Sequence, residues 1–308
     1  MFIVKHRAVW YSISGVLIVA SLAAVLVWGL KFGIDFTGGS LMEVQYSVAD
    51  MRSHDSVAQS LEELGVRGAS VRPTGETGYL IRTPFLTPDE YSAVRSTLGG
   101  TEVRYDAIGP TIGDELQTRA VYAVLLVLVM ITLFIAFVFR HVSKPVSSWK
   151  YGVVALLALA HDVIIPLGAF ALMGQYWGAE VDTLFVTAIL VILGFSVHDT
   201  IVVFDRTREK LKRLTEEGRE EPFEHTVGAA VTETLARSIN TSLTTVLALV
   251  ALYIWGPAVT QYFVLALIIG VVAGTYSSIF IGSPLLVTLQ KMQKEPVVED
   301  AKHHKKKK

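Results

Sequence analysis

The chain lacks cysteine altogether and is poor in charge. Of its 308 residues, 52% are hydrophobic and only 18% are Asp, Glu, Lys or Arg. Without thiols it can form no disulfide, no thiolate metal site and no cysteine nucleophile. It also lacks the G-x-x-x-x-G-K-S/T pattern that cradles nucleotide phosphates. We therefore expect no ATP site, no cofactor, no metal and no nucleic-acid partner, and the energy for any work must come from elsewhere.

Long apolar stretches are what the sequence has instead. Six stretches of about 20 residues each match the helix length that crosses a hydrocarbon core about 30 Å thick. They cover roughly 8–30, 118–139, 151–173, 183–204, 235–255 and 260–288. The composition is too apolar for an ordinary soluble domain. The sequence therefore predicts a polytopic α-helical membrane protein with six transmembrane helices.

Basic residues predict the orientation in the membrane. They precede the first span, separate spans two and three and spans four and five, and end the chain as KHHKKKK, whereas the loops GQYWGAEVD and GPAVTQ contain none. By the positive-inside rule both termini are expected in the cytoplasm, and the basic tail is expected to contact membrane lipid. The first apolar run, at about 22 residues, exceeds the about 7–15 of a cleaved signal peptide and is interpreted as an uncleaved anchor.

One long polar segment, residues 31–117, lies between spans one and two and is expected outside the cytoplasm. Strand-like alternation and two helical stretches, SHDSVAQSLEELG and TPDEYSAVRSTLGG, follow one another in the order β-α-β-β-α-β. That order predicts a ferredoxin-like α+β domain. No catalytic constellation is visible in the segment, so a binding or gripping role is favoured over catalysis.

These observations predict how the chain is divided. The charged stretch after span four, DRTREKLKRLTEEGREEPFEH, is predicted to form an amphipathic or solvated helix pair at the cytoplasmic surface. The predicted parts are the N-terminus with the first span (1–30), the extracytoplasmic domain (31–117), spans two to four (118–204), a cytoplasmic loop (205–234), spans five and six (235–288) and a basic cytoplasmic tail (289–308).

Span four contains an ionisable residue, Asp199, in the stretch GFSVHDTIVVF. At 1.5 Å per residue its carboxyl lies roughly 8 Å inside the membrane boundary, where an aspartate costs up to about 2.5–3.5 kcal/mol. Arg237 of span five falls at a similar depth, and Arg237, Asn240 and Thr244 form a polar stripe at i, i+3 and i+7. The sequence predicts that Asp199 faces this stripe in a proton pathway; the alternative is a static ion pair with Arg237.

Two further polar sites lie in the predicted spans. His198 of span four is expected to be either a proton relay or a packing residue. In span three the pair His161–Asp162 lies near mid-membrane, one turn before Pro166, which loosens the helix. Asp162 is expected either to support stepwise proton passage or to make a structural hydrogen bond.

Span six carries a stripe of small residues at four-residue spacing: Gly270, Gly274, Ser278 and Gly282. Such a stripe lets another helix approach closely. The alternatives are a sliding or partner interface and tight packing within the chain, and packing is favoured.

Five motifs together carry a family resemblance. GIDFTGGS (33–40), GPTIGDEL (109–116), GFSVHDTIVVFDRTRE (194–209), RSINTSLTT (237–245) and GVVAGTYSSIFIGSPL (270–285) occur in this order. They resemble the SecF family, the smaller subunits of the bacterial SecD–SecF accessory complex of protein export. The resemblance implies membership of the resistance-nodulation-division superfamily, six spans and a ferredoxin-like extracytoplasmic domain in the bacterial inner membrane.

The resemblance also implies a function and partners. Members of the family assist the export of an unfolded preprotein that emerges from the SecYEG channel, together with a SecD-like subunit and driven by proton influx. Asp199 and Arg237 match the family's proton-path residues, and Asp162 and Asn240 are added from the local argument. His198 stands where many relatives have Asn. Asp35, Gly38 and Gly39 are expected to hinge the first span to the outer domain.

Two other functions are kept as alternatives. The chain could be a stand-alone proton-coupled exporter of small molecules or lipids in the same superfamily. Six spans are half the number typical of such exporters, and the outer domain is small. The other alternative is a scaffold in which Asp199 and Arg237 are only structural. In none of these is the chain a conventional enzyme.

Overall fold

The structure, a computed structural model, describes residues 2–140 and 146–292. Most of the basic tail predicted at 289–308 therefore lies outside the described residues. Within the described part, six helices are long and apolar enough to cross a membrane, and a small antiparallel sheet forms a separate unit. The prediction of a polytopic helical membrane protein with a sheet domain is confirmed.

The elements before the second span are short apart from the first long helix. The first span is α2 (Arg7–Trp28), preceded by α1 (Phe2–Lys5) and followed by one turn, α3 (Ile34–Thr37). The sheet unit comes next and comprises, in chain order, β1 (Gly39–Gln45), α4 (His54–Glu63), β2 (Ser70–Thr74), β3 (Gly78–Thr83), α5 (Pro88–Leu98) and β4 (Thr101–Ile108).

Five spans follow the sheet unit. They are α6 (Pro110–Val138), α7 (Ser148–Trp177), α8 (Thr183–Glu216), α9 (Phe223–Trp255) and a last span that consists of α10 (Gln261–Ser277), a π-helical turn (Ser278–Gly282) and α11 (Ser283–Lys291). Both α8 and α9 continue beyond the predicted spans, so most of the charged stretch 205–234 is helical. The outer end of the bundle is defined here as the end beside the sheet unit, where α8 begins, and the inner end as the opposite one.

Capping residues begin both helices of the sheet unit. Ser53 Oγ accepts the Ser56 N–H at the start of α4, and Thr87 forms a reciprocal capping box with Glu90 at the start of α5. The strands pair antiparallel in the order β2-β3-β1-β4. Apolar side chains of the sheet and both helices form one core, which includes Met42, Val44, Val57, Leu61, Ile81, Val94 and Leu98.

Three spans form the centre of the membrane unit. Helices α7, α8 and α10 pack on one another, and α2, α6 and α9 surround them. Close approach depends on glycine: a Cβ added to Gly270 of α10 would lie 2.1 Å from Ile192 Cδ1 of α8, and one added to Gly168 of α7 would lie 2.3 Å from Ser21 Cβ of α2. The faces of α2, α6 and α9 that point away from this centre are exposed and mainly apolar. Buried polar groups therefore concentrate between α7, α8 and α10.

Candidate functional site

Asp199 lies on the face of α8 that packs against α9. Its side chain is buried, and Ser238 of α9, also buried, approaches the carboxyl. Neither Asp199 Oδ2 nor Ser238 Oγ has a well-aligned hydrogen bond among the described residues. A buried oxygen without a donor costs about 1–3 kcal/mol, and more when the group is charged. Asp199 is therefore a carboxyl group whose burial is not compensated by its surroundings.

Arg237 does not form the expected ion pair with Asp199 in this structure. Its side chain is exposed, and no ion pair of Arg237 is found within the part of the chain that the structure describes. The reason is the rotation of α9: its buried face carries Thr234, Ser238 and Ser242 at four-residue spacing. Arg237 precedes Ser238 by one residue and so points about 100° away from it. Arg237 therefore does not face Asp199 in this structure.

His198 and Asn240 also point away from Asp199. His198 is exposed on α8, about 100° around the helix from its neighbour Asp199. Asn240 and Thr244 are exposed on α9, and Thr244 Oγ1 donates to the Asn240 carbonyl oxygen at 3.0 Å. The polar stripe on α9 therefore exists, but it lies on the surface of the single chain.

An open crevice of about 530 Å³ lies between α8 and α9 on the inner side of Asp199. Glu233 forms two ion pairs at this crevice: Lys210 Nζ lies 2.6 Å from its Oε1, and Arg206 Nη2 lies 2.6 Å from its Oε2. The crevice is lined by Val202, Asp205, Arg206, Glu209, Glu233, Thr234 and Arg237. Because Val202 and Thr234 are one helical turn from Asp199 and Ser238 respectively, the crevice ends close to the buried carboxyl.

Both carboxyl oxygens of Asp162 have hydrogen-bond partners inside the bundle. Asp162 is completely buried. Oδ1 lies 2.8 Å from His161 Nδ1, and Oδ2 accepts hydrogen bonds from Ser196 Oγ at 2.5 Å and Ser277 Oγ at 2.8 Å. The donors come from α7, α8 and α10, so Asp162 joins the three central helices.

The small-residue stripe of the last span lies against α8. A Cβ added to Gly274 would be 2.9 Å from Ser196 Cβ, and one added to Gly282 would be 3.9 Å from Thr200 Cγ2. Ser278 Oγ and Thr200 Oγ1 are hydrogen-bonded at 3.0 Å. The stripe thus makes contacts within the chain, and it brings α10 close enough to supply a hydroxyl to Asp162.

The GIDFTGGS segment joins the first span, the sheet unit and α8. Thr183 is the first residue of α8. Its backbone N–H and its hydroxyl both donate hydrogen bonds to Asp35 Oδ2, the N–H at 2.9 Å. Gly38 and Gly39 have φ of 69° and 130°. A Cβ would lie 2.8 Å from Pro110 Cα at Gly38 and 2.7 Å from Thr83 O at Gly39. Only glycine fits this crossing, because both the backbone angles and the space exclude a side chain.

Charged contacts tie the sheet unit to the loop before α8. Glu180 Oε1 lies 3.0 Å from Arg82 Nη1 and 3.6 Å from Arg72 Nη1. Arg82 also donates to the Phe32 carbonyl oxygen at 2.8 Å. In the same loop Asp182 is the N-cap of α8, and its side chain accepts a hydrogen bond from the Phe185 N–H. Burial raises the pKa of Asp182, and this hydrogen bond partly offsets the increase. The outer end of α8 is therefore fixed to both the sheet unit and α3.

Among residues 2–140 and 146–292 there is no cluster of three His, Asp or Glu side chains that could hold an ion.

Comparison with known proteins identifies the family. A family model described as "Protein export membrane protein SecD/SecF, C-terminal" matches residues 92–292, and the SecD/SecF GG motif matches residues 26–50. The protein translocase subunit SecF of Thermobaculum terrenum is 39% identical over 93% of both chains. That of Anaerolinea thermophila is 36% identical over 92% of both. The chain belongs to the SecF family.

Solved relatives of SecF agree with this fold. A crystal structure of SecDF, a translocon-associated membrane protein from Thermus thermophilus, superposes with a TM-score of 0.81 at 31% identity. The match covers 94% of this chain and 38% of that one. SecDF in its super-membrane-facing form gives a TM-score of 0.62 at 32% identity. The chain is accordingly a multi-pass protein of the bacterial inner membrane.

Sequence reasoning about this SecF-family chain missed the groups that touch the predicted residues. Ser238, Ser196 and Ser277 surround the two intramembrane carboxyls, yet a serine in an apolar helix gives no distinct signal. Ser238 could have been found by noting that it, and not Arg237, continues the four-residue spacing of Thr234 and Ser242. Glu180 and Arg82 lie about a hundred residues apart, so no local pattern connects them.

We expect Asp35→Ala to loosen the start of α8. The change removes the acceptor for Thr183 and a negative charge next to the helix N-terminus, together about 1–2 kcal/mol. Hydrogen exchange of the amides at residues 183–186 should become faster in the detergent-solubilised chain. Asp55→Ala, which removes an exposed first-turn carboxylate from α4, is the matched control and should leave these amides unchanged. Unchanged exchange in Asp35→Ala would contradict the capping role.

Proposed function

We propose that this chain is an accessory subunit of the Sec protein-export machinery that uses the proton-motive force to assist late steps of preprotein translocation. Membership of the SecF family is the observation that carries this proposal. The chain acts as a proton-driven translocase subunit and not as an enzyme. The alternative of a stand-alone exporter is not favoured, since the relatives are named protein translocase subunits.

A SecD-like subunit is the proposed permanent partner. In Thermus thermophilus the related protein is SecDF, and this chain matches 38% of it at 35% identity. The exposed surface of α9 supports the same conclusion. Arg237, Thr241, Thr244 and Ala248 are exposed along one side of the helix, where an arginine facing lipid would cost about 2.5–3.5 kcal/mol. The opposite side carries the apolar residues Ile239, Leu243 and Val250. A partner helix on the polar side removes the cost.

Asp199 is the proposed proton acceptor. A buried carboxyl without a firm hydrogen bond is stable when protonated and unstable when ionised. Arg237 acts as its electrostatic switch: a rotation of α9 by about 100° exchanges Ser238 for Arg237 beside Asp199 and favours the ionised form. His198 and Asn240 flank this path, and Asp162 supports it from the other side of α8. The crevice at Glu233 is the inner route by which the proton leaves.

Helix α8 is the proposed connection between the proton site and the sheet unit. Its outer end is held by Asp35 and by the loop that contains Glu180, so a displacement of α8 reaches the sheet unit directly. Asp35, Gly38 and Gly39 form the joint at which the unit turns. We infer that the sheet unit is a ferredoxin-like domain outside the cytoplasm, supported by its β-α-β-β-α-β order, and that both termini lie inside.

The remaining partners follow from the proposed function. An unfolded preprotein leaves the SecYEG channel on the outer side, where the sheet unit holds it, and proton influx through the bundle resets that unit. The basic tail contacts membrane lipid on the inner side. The domain division proposed is that of the predicted parts, 1–30, 31–117, 118–204, 205–234, 235–288 and 289–308.

We expect Asp199→Asn to abolish the contribution of this chain to export. The amide cannot exchange a proton, so the cycle stops although the volume of the side chain is kept. Pulse-chase maturation of a secreted preprotein should slow to the rate without the chain, in cells that supply only this chain and its SecD-like partner. The control is Asp55→Asn, at an exposed position on α4. Cells that carry this variant should mature the preprotein at the wild-type rate. Wild-type maturation with Asp199→Asn would contradict proton coupling at this residue.

Partner contact can be mapped by cross-linking, because the chain has no native cysteine. Thr241→Cys lies on the polar side of α9 and should cross-link to single cysteines in a span of the SecD-like partner. Ile239→Cys, two residues away on the apolar side, should not, because the two positions point about 160° apart. Equal cross-linking of both positions would contradict the assignment of the polar side to the partner.

A further inference from the structure

His161 and Asp162 form an acid–base pair at the centre of the bundle, separate from the Asp199 site. His161 is 2% exposed and Asp162 not at all. Nδ1 of the imidazole lies 2.8 Å from Oδ1 of the carboxyl. The other oxygen accepts the hydroxyls of Ser196 and Ser277. Every carboxyl oxygen thus has a partner, and the imidazole is the only base in contact with it among the described residues.

Charge balance requires this pair to hold one proton more than a neutral imidazole and an ionised carboxylate do. An ionised Asp162 beside a neutral imidazole would leave an uncompensated charge in the bundle, at a cost of several kcal/mol. In the described part of the chain no Lys or Arg bonds to Asp162. The facing groups are Tyr276 of α10, whose ring stacks on His161 at 6.0 Å, Ser196 of α8, and the Trp10 carbonyl of α2, which Tyr276 contacts. When Nε2 carries one proton and a second proton is shared between Nδ1 and Oδ1, the pair is neutral, whichever of these two atoms carries the second proton.

The second ring nitrogen, His161 Nε2, is buried and has no hydrogen-bond partner among the described residues. An imidazole with only a structural role usually satisfies both of its nitrogens, since a buried unpaired one costs about 1–3 kcal/mol. Nε2 is therefore the atom through which the pair can exchange its proton. Histidine is suited to this exchange because its two nitrogens can accept and release a proton on opposite sides of the ring.

Two helix irregularities meet at the pair. Pro166 lies inside α7 and has no N–H, so the carbonyl of Asp162, four residues earlier, loses its usual helical donor. On the opposite helix the π-helical turn Ser278–Gly282 begins directly after Ser277, and single π-helical turns recur at functional sites. The donors around Asp162 can therefore rearrange more easily than in two regular helices.

The pair is also linked to the Asp199 site. Ser196, which donates to Asp162, lies three residues before Asp199 on α8. Ser278 Oγ lies 2.8 Å from the Gly274 carbonyl oxygen, 3.4 Å from the Ser196 carbonyl oxygen and 3.0 Å from Oγ1 of Thr200, the neighbour of Asp199. A change of the donors around Asp162 therefore alters the contacts of Ser196 and Thr200, which precede and follow Asp199 on α8.

We propose that His161–Asp162 is a second proton-binding site, in which His161 exchanges the proton and Asp162 stabilises it. The site is distinct from Asp199 and is connected to it through Ser196 and Ser278. This inference deepens the proposed function and rests on its proton coupling.

Infrared difference spectra of the full chain with its partner in lipid vesicles test the proposal. The carboxylic-acid band of Asp162 is assigned in the His161→Gln background, by its loss when Asp162→Asn is added. In His161→Gln the proton has only the carboxyl left to bind, so this band should persist at every pH that the vesicles tolerate. It should disappear in the double variant His161→Gln/Asp162→Asn. The matched control is His54→Gln, at an exposed position in the sheet unit, which should give the wild-type spectrum.

An Asp162 that stays ionised in His161→Gln would overturn the proposal, because the hydroxyls alone would then stabilise the charge. If His161→Gln does not fold, Ser277→Ala decides instead. It removes one donor from the ionised form and should increase the acid band of Asp162, whereas an unchanged band would overturn the proposal. Proton influx that is unaffected by Asp199→Asn would refute the proposed function, but these spectra would still decide whether the pair binds a proton.

Discussion

A carboxylate inside a membrane bundle is stable only while hydroxyls, a countercharge or a proton offset the loss of its hydration. The two acids in this bundle meet that requirement differently. Asp162 has a histidine and two serine hydroxyls from three helices, so its charge and hydrogen bonds are nearly balanced. Asp199 faces a single serine and keeps one oxygen unpaired. The first arrangement joins three helices at the centre of the bundle and leaves the imidazole as the proposed point of proton exchange, whereas in the second the proposed exchange is at the carboxyl itself.

Helix α8 connects the Asp199 site with the sheet unit. It is 34 residues long, which at 1.5 Å per residue is roughly 50 Å. Its outer end is bonded to Asp35 and lies next to the Glu180 contacts with the sheet unit, and its inner end pairs Arg206 and Lys210 with Glu233 of α9. Because Ser196, Asp199 and Thr200 occupy its middle, the proposed change in proton occupancy would act on a helix that is held on both sides of the site.

Much of this architecture could be predicted from local patterns. Span lengths follow from apolar runs, and the caps Ser53 and Thr87 begin the helices of the sheet unit where the sequence indicates. Counting residues also predicts that Asp199 and Arg237 lie at a similar depth. Rotation about the helix axis does not follow from counting. It depends on which small residues of α8, α9 and α10 meet, and this contact turns Ser238 inward and Arg237 outward. Pairs such as Asp35–Thr183 join distant segments and have no local signal at all.

The most direct test of this account is proton influx into vesicles that contain the chain and its SecD-like partner. Influx would be followed with an entrapped pH indicator under an imposed proton gradient, with and without unfolded polypeptide on the outer side, for the wild type, Asp199→Asn and the exposed-site control Asp55→Asn. The account predicts influx for the wild type and the control, and loss of influx for Asp199→Asn in a complex that still assembles. Wild-type influx in an assembled Asp199→Asn complex would contradict it.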